Sequence, residues 1–172
     1  MEPVNVVGAM IPTTSNCRIV PRIMASGSGS PLSSRAASKA LVDRLIEGPE
    51  KTISIVADLD GMIVGHILLS ELEGPERSLA LGPLGVDPQW RQFHIGTELS
   101  RKAIDVAREE GWHSIFVLGD PRYYSRVGFS SELANSVKSP YQGPEFQALE
   151  LVPGAVTAYH GEVIYPKAFE EV

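Results

Sequence analysis

The apolar positions of the chain follow two different periods. Between residues 53 and 69 they crowd into two β-rich runs, 53–57 (ISIVA) and 62–69 (MIVGHILL), on either side of the turn sequence DLDG, which predicts a β-hairpin. From Ile95 the period lengthens: Ile95, Leu99, Ala103, Val106 and Ala107 predict a helix from Gly96 to about Glu110, ended by Gly111. Ala37, Leu41, Leu45 and Ile46 form a second helical stripe, capped by Ser33 or Ser34 and stopped at Gly48 and Pro49. Further strands are expected at 78–86 (SLALGPLGV), 113–118, 146–152 and 161–165, with one or two helical turns in RYYSRVGF. Gly82, Pro83 and Gly85 interrupt the 78–86 strand, the mark of a bulge or of close approach by another backbone or a ligand.

Before residue 36 the pattern is weaker. Short strands are expected at 4–11 and 17–20, with Pro12 and Pro21 breaking their surroundings. The run ASGSGSPLSS is low in complexity and reads either as a surface loop or as a flap over a site. No internal repeat or second-domain boundary is visible, so residues 1–172 are expected to form one domain. The order of elements predicts an α/β fold: a mixed, mostly antiparallel sheet flanked by helices. A right-handed crossover from strand 78–86 through the long helix to strand 113–118 sets the helix N-terminus at the C-terminal edge of the bulged strand, where such sheets bind ligands.

Composition narrows the function classes. A net charge of -6 argues against a nucleic-acid partner, and a single cysteine, Cys17, excludes an internal disulfide and a cysteine-rich metal site. No apolar run is long enough to span a bilayer, and the start MEPVNVVGAM lacks a basic n-region, so a cytoplasmic protein is expected, with no membrane partner and no metal.

Three features converge at one edge of the expected sheet. The bulge prevents even pairing of strand 78–86 with strand 113–118, and the gap exposes backbone groups to an extended, amide-containing ligand. The loop Arg91, Gln92, Phe93, His94, Ile95, Gly96 and Thr97 ends the gap and aims N–H groups and a helix dipole at any phosphate the ligand carries. Tyr124 follows the second strand as a candidate proton donor.

In these motifs the chain resembles the GNAT superfamily of N-acetyltransferases, specifically a branch of predicted bacterial enzymes. The family's Gln/Arg-x-x-Gly-x-Gly/Ala loop stands as Arg91-Gln92-Phe93-His94-Ile95-Gly96, preceded by Leu84, Gly85, Val86 and Pro88. Its hydrophobic-Tyr-x-x-x-Gly-Phe signature stands as Tyr123 to Phe129, and the resemblance covers residues 51–169. Residues 1–35 depart from the pattern. The resemblance implies a GNAT fold with strands splayed near Gly85, and acetyl-CoA or another acyl-CoA as co-substrate. It implies direct attack of a primary amine, on a small molecule or peptide, at the thioester.

Residue by residue, it implies backbone contacts from Leu84, Gly85 and Val86 to the pantetheine arm, pyrophosphate binding by Arg91 to Thr97, and proton donation by Tyr124. A base is also needed to free the attacking amine. Strand 78–86 contains no glutamate, so Asp120 and Glu71 are the nearest carboxylate candidates, while His66, within an apolar strand, reads either as facing the cleft or, as a lone strand histidine more often does, as hydrogen-bonded and structural. His94 replaces the motif's first glycine, at a position that asks for a backbone angle histidine seldom adopts. Two alternatives remain open: a different pantetheine donor such as acyl carrier protein, and a non-catalytic binding or sensing module. The chain is expected to act as a monomer or homodimer.

Overall fold

The computed structural model describes residues 4–5, 17–21 and 36–169. Seven strands form one sheet in sequence order: β1 (Val4–Asn5), β2 (Cys17–Pro21), β3 (Thr52–Leu59), β4 (Met62–Glu71), β5 (Ser78–Val86), β6 (Ser114–Leu118) and β7 (Phe146–Glu150). Every neighbouring pair is antiparallel except β5 and β6, the single parallel pair, which α2 (Ile95–Glu109) connects. The mixed α/β sheet expected from the pattern is therefore present. α1 (Ala36–Glu47), α3 (Pro121–Tyr124) and α4 (Ser131–Ala134) complete the helices.

The β3–β4 hairpin turns through Asp60 and Gly61, both at positive φ (48° and 88°), and Asp58 Oδ1 accepts the Gly61 N–H at 2.7 Å. Two consecutive positive φ values match the right-handed twist of the strands, which is why this turn favours Asp-Gly. Beyond the hairpin, α2 buries Ile95, Leu99, Ala103, Val106 and Ala107 against the sheet, together with Ile104. It sits very close to β4: a Cβ on Gly65 would lie 2.9 Å from Leu99 Cδ1 and 3.1 Å from Ile95 Cγ2. Only glycine permits that approach.

Alternation along β4 sends Leu68 to the opposite face, where it packs on Val42 and Leu45 of α1. Farther along that face Ala80, Phe116 and Ala148 meet Ala134, Val137 and Val163, with Phe116 and Phe146 stacked at 5.8 Å. Among the described residues no helix is long and apolar enough to cross a membrane.

Several expectations need correction. β2 runs one residue further than expected, through Pro21, which lies opposite Ile55 of β3 at the end of the strand. Of the segment 4–11 only Val4–Asn5 is described, and the expected capping serines and the Gly/Ser run lie outside the described residues. Strand 146–152 stops at Glu150, and the polar stretch after Phe129 contains α4, capped by Ser130 Oγ on the Leu133 N–H at 3.3 Å. Residues 161–165 form no strand. Ser130 bridges the outer side of β7 at Ala148, so this segment makes isolated bridges instead, Ile164 with Gly74 and Glu162 with Lys138.

Candidate active site

β5 and β6 are joined at one end and parted at the other. Ser78 to Leu81 pair with Ser114 to Val117, and the first pair is tied by a 2.6 Å hydrogen bond between the two serine hydroxyls. After Leu81 the strands separate. β5 continues for five residues, Gly82 to Val86, with no β6 partner, while its other edge stays on β4 through Ile67↔Leu84, His66↔Gly85 and Gly65↔Val86. The cause is local: between Leu81 and Leu84, β5 spends two residues, Gly82 and Pro83, where β4 spends only Leu68. Such an extra residue bends the strand and ends its regular pairing. The predicted gap is therefore present, and Leu84, Gly85 and Val86 line one wall, each half-buried.

The opposite wall is the end of β6, where Leu118 is 52% exposed because nothing pairs on its β5 side. Gly119 follows and is fixed from two directions: its N–H donates to Glu145 O at 2.9 Å, and its carbonyl accepts from Gln147 Nε2 at 3.1 Å. Gln147 is 1% exposed. Sequence reasoning overlooked it, although an amide inside the alternating run FQALE was a usable signal, since buried amides need partners.

Past the end of β5 the chain makes a 3-10 helix, Pro88–Phe93, capped by Asp87, which accepts the Gln89 N–H at 2.9 Å. This narrows the predicted cradle. The N–H groups of residues in the 3-10 turns point back toward carbonyls three residues earlier, and His94 N–H donates to Arg91 O at 3.3 Å. Glu98 N–H is the first to return to His94 O, so Ile95, Gly96 and Thr97 are the N–H groups ahead of α2's own bonding, with no side chain capping them. Of the seven loop residues, those three carry the N–H groups that lie ahead of the helix's own bonding. Arg91 folds back so that its Nε donates to Val86 O at 3.2 Å, Gln92 is exposed, and Phe93 packs on Trp90 at 5.6 Å.

His94 adopts the left-handed conformation, φ 58° and ψ 22°, that the family's glycine would supply, and it is exposed. Histidine, with asparagine and aspartate, is among the non-glycine residues enriched there. The substitution thus preserves the path of the loop.

Tyr124, on α3, lies against the end of β6. Its ring lies on Gly119, where a Cβ would be 2.4 Å from Tyr124 Cε2, and it makes edge contacts with Phe129 at 5.7 Å and Tyr123 at 4.9 Å. Burial, helped by the nearby Tyr123, pushes its hydroxyl up to about 12, so it stays protonated at neutral pH. Tyr123 goes the other way: its hydroxyl stands against Gly96 at the start of α2, buried and without a hydrogen-bond partner among the described residues.

The two carboxylate candidates are placed unfavourably for a base. Asp120 caps α3, accepting the Arg122 N–H at 2.9 Å, and pairs with the Arg122 guanidinium at 3.0 Å. Those hydrogen bonds hold its carboxyl below the usual carboxylate range and weaken it as a proton acceptor. Glu71 is not brought to the opening at all. It pairs with Leu79, seven residues along β5 from Val86 and so about 20 Å away, and its Oε2 accepts the Lys51 N–H at 3.3 Å. Among the described residues no group of three or more His, Cys, Asp or Glu side chains could hold a metal ion.

A strand pair parted by a bulge, with its gap ending at an uncapped helix N-terminus, offers main-chain groups to an extended ligand and N–H groups to an anion. Comparison with known proteins gives this arrangement its family. The model of the Acetyltransferase (GNAT) family matches residues 27–129. The chain is 30% identical over 139 residues to the uncharacterized N-acetyltransferase YhbS of Escherichia coli (strain K12), covering 77% of this chain and 83% of that protein. The crystal structure of YhbS from Escherichia coli in complex with CoA superposes with a TM-score of 0.72 at 28% identity, covering 78% of each chain. A GNAT family acetyltransferase from Brucella melitensis in complex with acetyl-CoA superposes with a TM-score of 0.65 at 30% identity, covering 80% of each. The chain belongs to the GNAT family of acetyltransferases.

Proposed function

We propose that this chain transfers an acetyl group from acetyl-CoA to the primary amine of a small molecule or peptide. One observation carries the reading: β5 loses its β6 partner after Leu81, so five residues of main chain face a gap that ends at the free N–H groups of α2. The relatives whose structures contain CoA and acetyl-CoA support it. The residues present fit such a donor. The main chain of Leu84, Gly85 and Val86 would hold its amide arm as an added strand, and the N–H groups of Ile95, Gly96 and Thr97 its phosphates, with the α2 dipole and Arg91 supplying positive charge. The donor supplies an activated thioester.

The remaining chemistry belongs to the chain. Tyr124, kept protonated by burial, gives its proton to the departing sulfur. Gln147 and Gly119 hold the lip of β6 against the Tyr124 ring, which keeps the hydroxyl aimed at one place. Calorimetric titration with acetyl-CoA tests the reading. Binding in the micromolar range is expected, and no heat at millimolar acetyl-CoA would overturn it.

A further inference from the structure

His66 is 8% exposed, at the midpoint of β4. Its cross-strand partner on β5 is Gly85, inside the segment that has left β6, and the next pair is Gly65 with Val86. Directly opposed residues share a face of the sheet. Gly65 faces α2, as its contacts with Leu99 and Ile95 show, so His66 and Gly85 lie on the opposite face. Directly opposite the imidazole β5 presents only main chain, because Gly85 has no side chain. One ring nitrogen is already engaged: Nε2 lies 2.9 Å from Ser54 Oγ on β3. With Nε2–H donating to Ser54 Oγ the ring is held and its lone pair sits on Nδ1, the tautomer that proton uptake there requires.

We propose that His66, held by Ser54, takes the proton from the acceptor amine on the sheet face opposite α2. The proposal rests on the acetyl-transfer reading above. The donor's phosphates would occupy the α2 end, so an acceptor reaches the thioester from the face that α2 does not cover. The balance is simple. The amine nitrogen forms a bond to the carbonyl carbon, and the carbon–sulfur bond breaks. The starting ammonium gives up two protons: one passes through His66 to solvent, and the other restores the proton that Tyr124 gives to sulfur.

The surroundings suit the role. Burial lowers the proton affinity of the imidazole and so favours its neutral form. Its strand neighbours are Ser54, Val56 and Gly85, and Leu68 beside it packs on Val42 and Leu45 of α1. The α1 charges Asp43, Arg44 and Glu47 do not contribute to the shift. Asp120 and Glu71 are engaged elsewhere, as described above.

The test combines three measurements. NMR titration of the free protein follows the His66 imidazole, assigned from the signal missing in His66→Gln, and its midpoint is expected below the ordinary value of about 6.5. The acidic limb of kcat/KM, read by thiol release, is expected at that same midpoint with two amines of different basicity. His66→Gln is expected to abolish the limb and lower kcat by about 100-fold, while acetyl-CoA affinity by calorimetry stays within about twofold. A limb that moves with the amine, or lies away from the His66 titration, overturns the proposal even if the variant fails to fold. Full activity in His66→Gln overturns it while leaving the acetyl-transfer reading intact. A wild-type chain that binds no acetyl-CoA or releases no thiol overturns both.

Discussion

The hydroxyl of Tyr123 occupies the space that a side chain on Gly96 would need: a Cβ built on Gly96 lies 2.6 Å from Tyr123 Oη but 3.7 Å from Cζ and 3.5 Å from Val86 Cγ2. The clash is therefore with one oxygen atom, and without it the space is of ordinary van der Waals size. Gly96→Ala is expected to destabilise the protein by about 1–3 kcal/mol, the usual cost of overpacking. In a Tyr123→Phe background the same change should cost under about 0.5 kcal/mol. Urea denaturation of the four proteins in this double-mutant cycle measures the coupling, and equal costs in both backgrounds would refute the contact.

Tyr123→Phe alone should stabilise the protein. Its hydroxyl is buried without a partner among the described residues, which costs on the order of 1 kcal/mol of desolvation. A higher midpoint in the same denaturation experiment is the expected result, and a lower one would show that the hydroxyl is hydrogen-bonded in solution.

The loop ahead of α2 depends on the left-handed residue at 94 rather than on its imidazole. His94→Gly should keep acetyl-CoA affinity and leave stability equal or higher by up to about 1 kcal/mol, since glycine adopts that conformation without steric cost. His94→Val should lose about 1–2 kcal/mol, because a β-branched side chain is strained there. Thermal unfolding and calorimetry of both variants check the pair.

Tyr124→Phe should lower kcat by about 100-fold with little change in acetyl-CoA affinity. It also has a signature independent of turnover. The folded hydroxyl titrates at about 12 against 10.0 for the ordinary group, so between those values the unfolded chain has lost a proton that the folded chain retains. Stability contributed by this group is complete below pH 10 and is lost as pH rises toward 12, by about 2 kcal/mol. Tyr165, raised in the same direction by burial, adds to the decline. Tyr124→Phe should therefore flatten, without abolishing, the fall of stability in that range.

Gln147→Leu should weaken donor binding and lower stability by about 1–3 kcal/mol, because it leaves the Gly119 carbonyl without its amide donor. If affinity is unchanged while stability falls, Gln147 supports the fold alone.

Much of this was legible in the sequence because it rests on local rules. The DLDG hairpin, the limits of β5 and the buried stripe of α2 follow from turn chemistry and periodicity. The interruption by Gly82, Pro83 and Gly85 foretold the gap between β5 and β6. What escaped depended on contacts between residues far apart in the chain. Nothing near Gln147 announces that its amide reaches Gly119, or that Tyr123 meets Gly96 from α3. The strand expected at 161–165 has suitable composition, but the β7 edge it needed is engaged by Ser130. His94 was expected to sit badly because histidine seldom adopts the angle this position asks for, and it adopts that left-handed angle nonetheless.

The walls of the gap along β5 are made of peptide groups, and peptide groups are common to every residue. Leu84 and Val86 can therefore drift among apolar residues without altering what the edge offers to an amide-bearing ligand, provided that Gly82 and Pro83 keep the strand bent away. A donor held in this way would impose little on the identity of the side chains there.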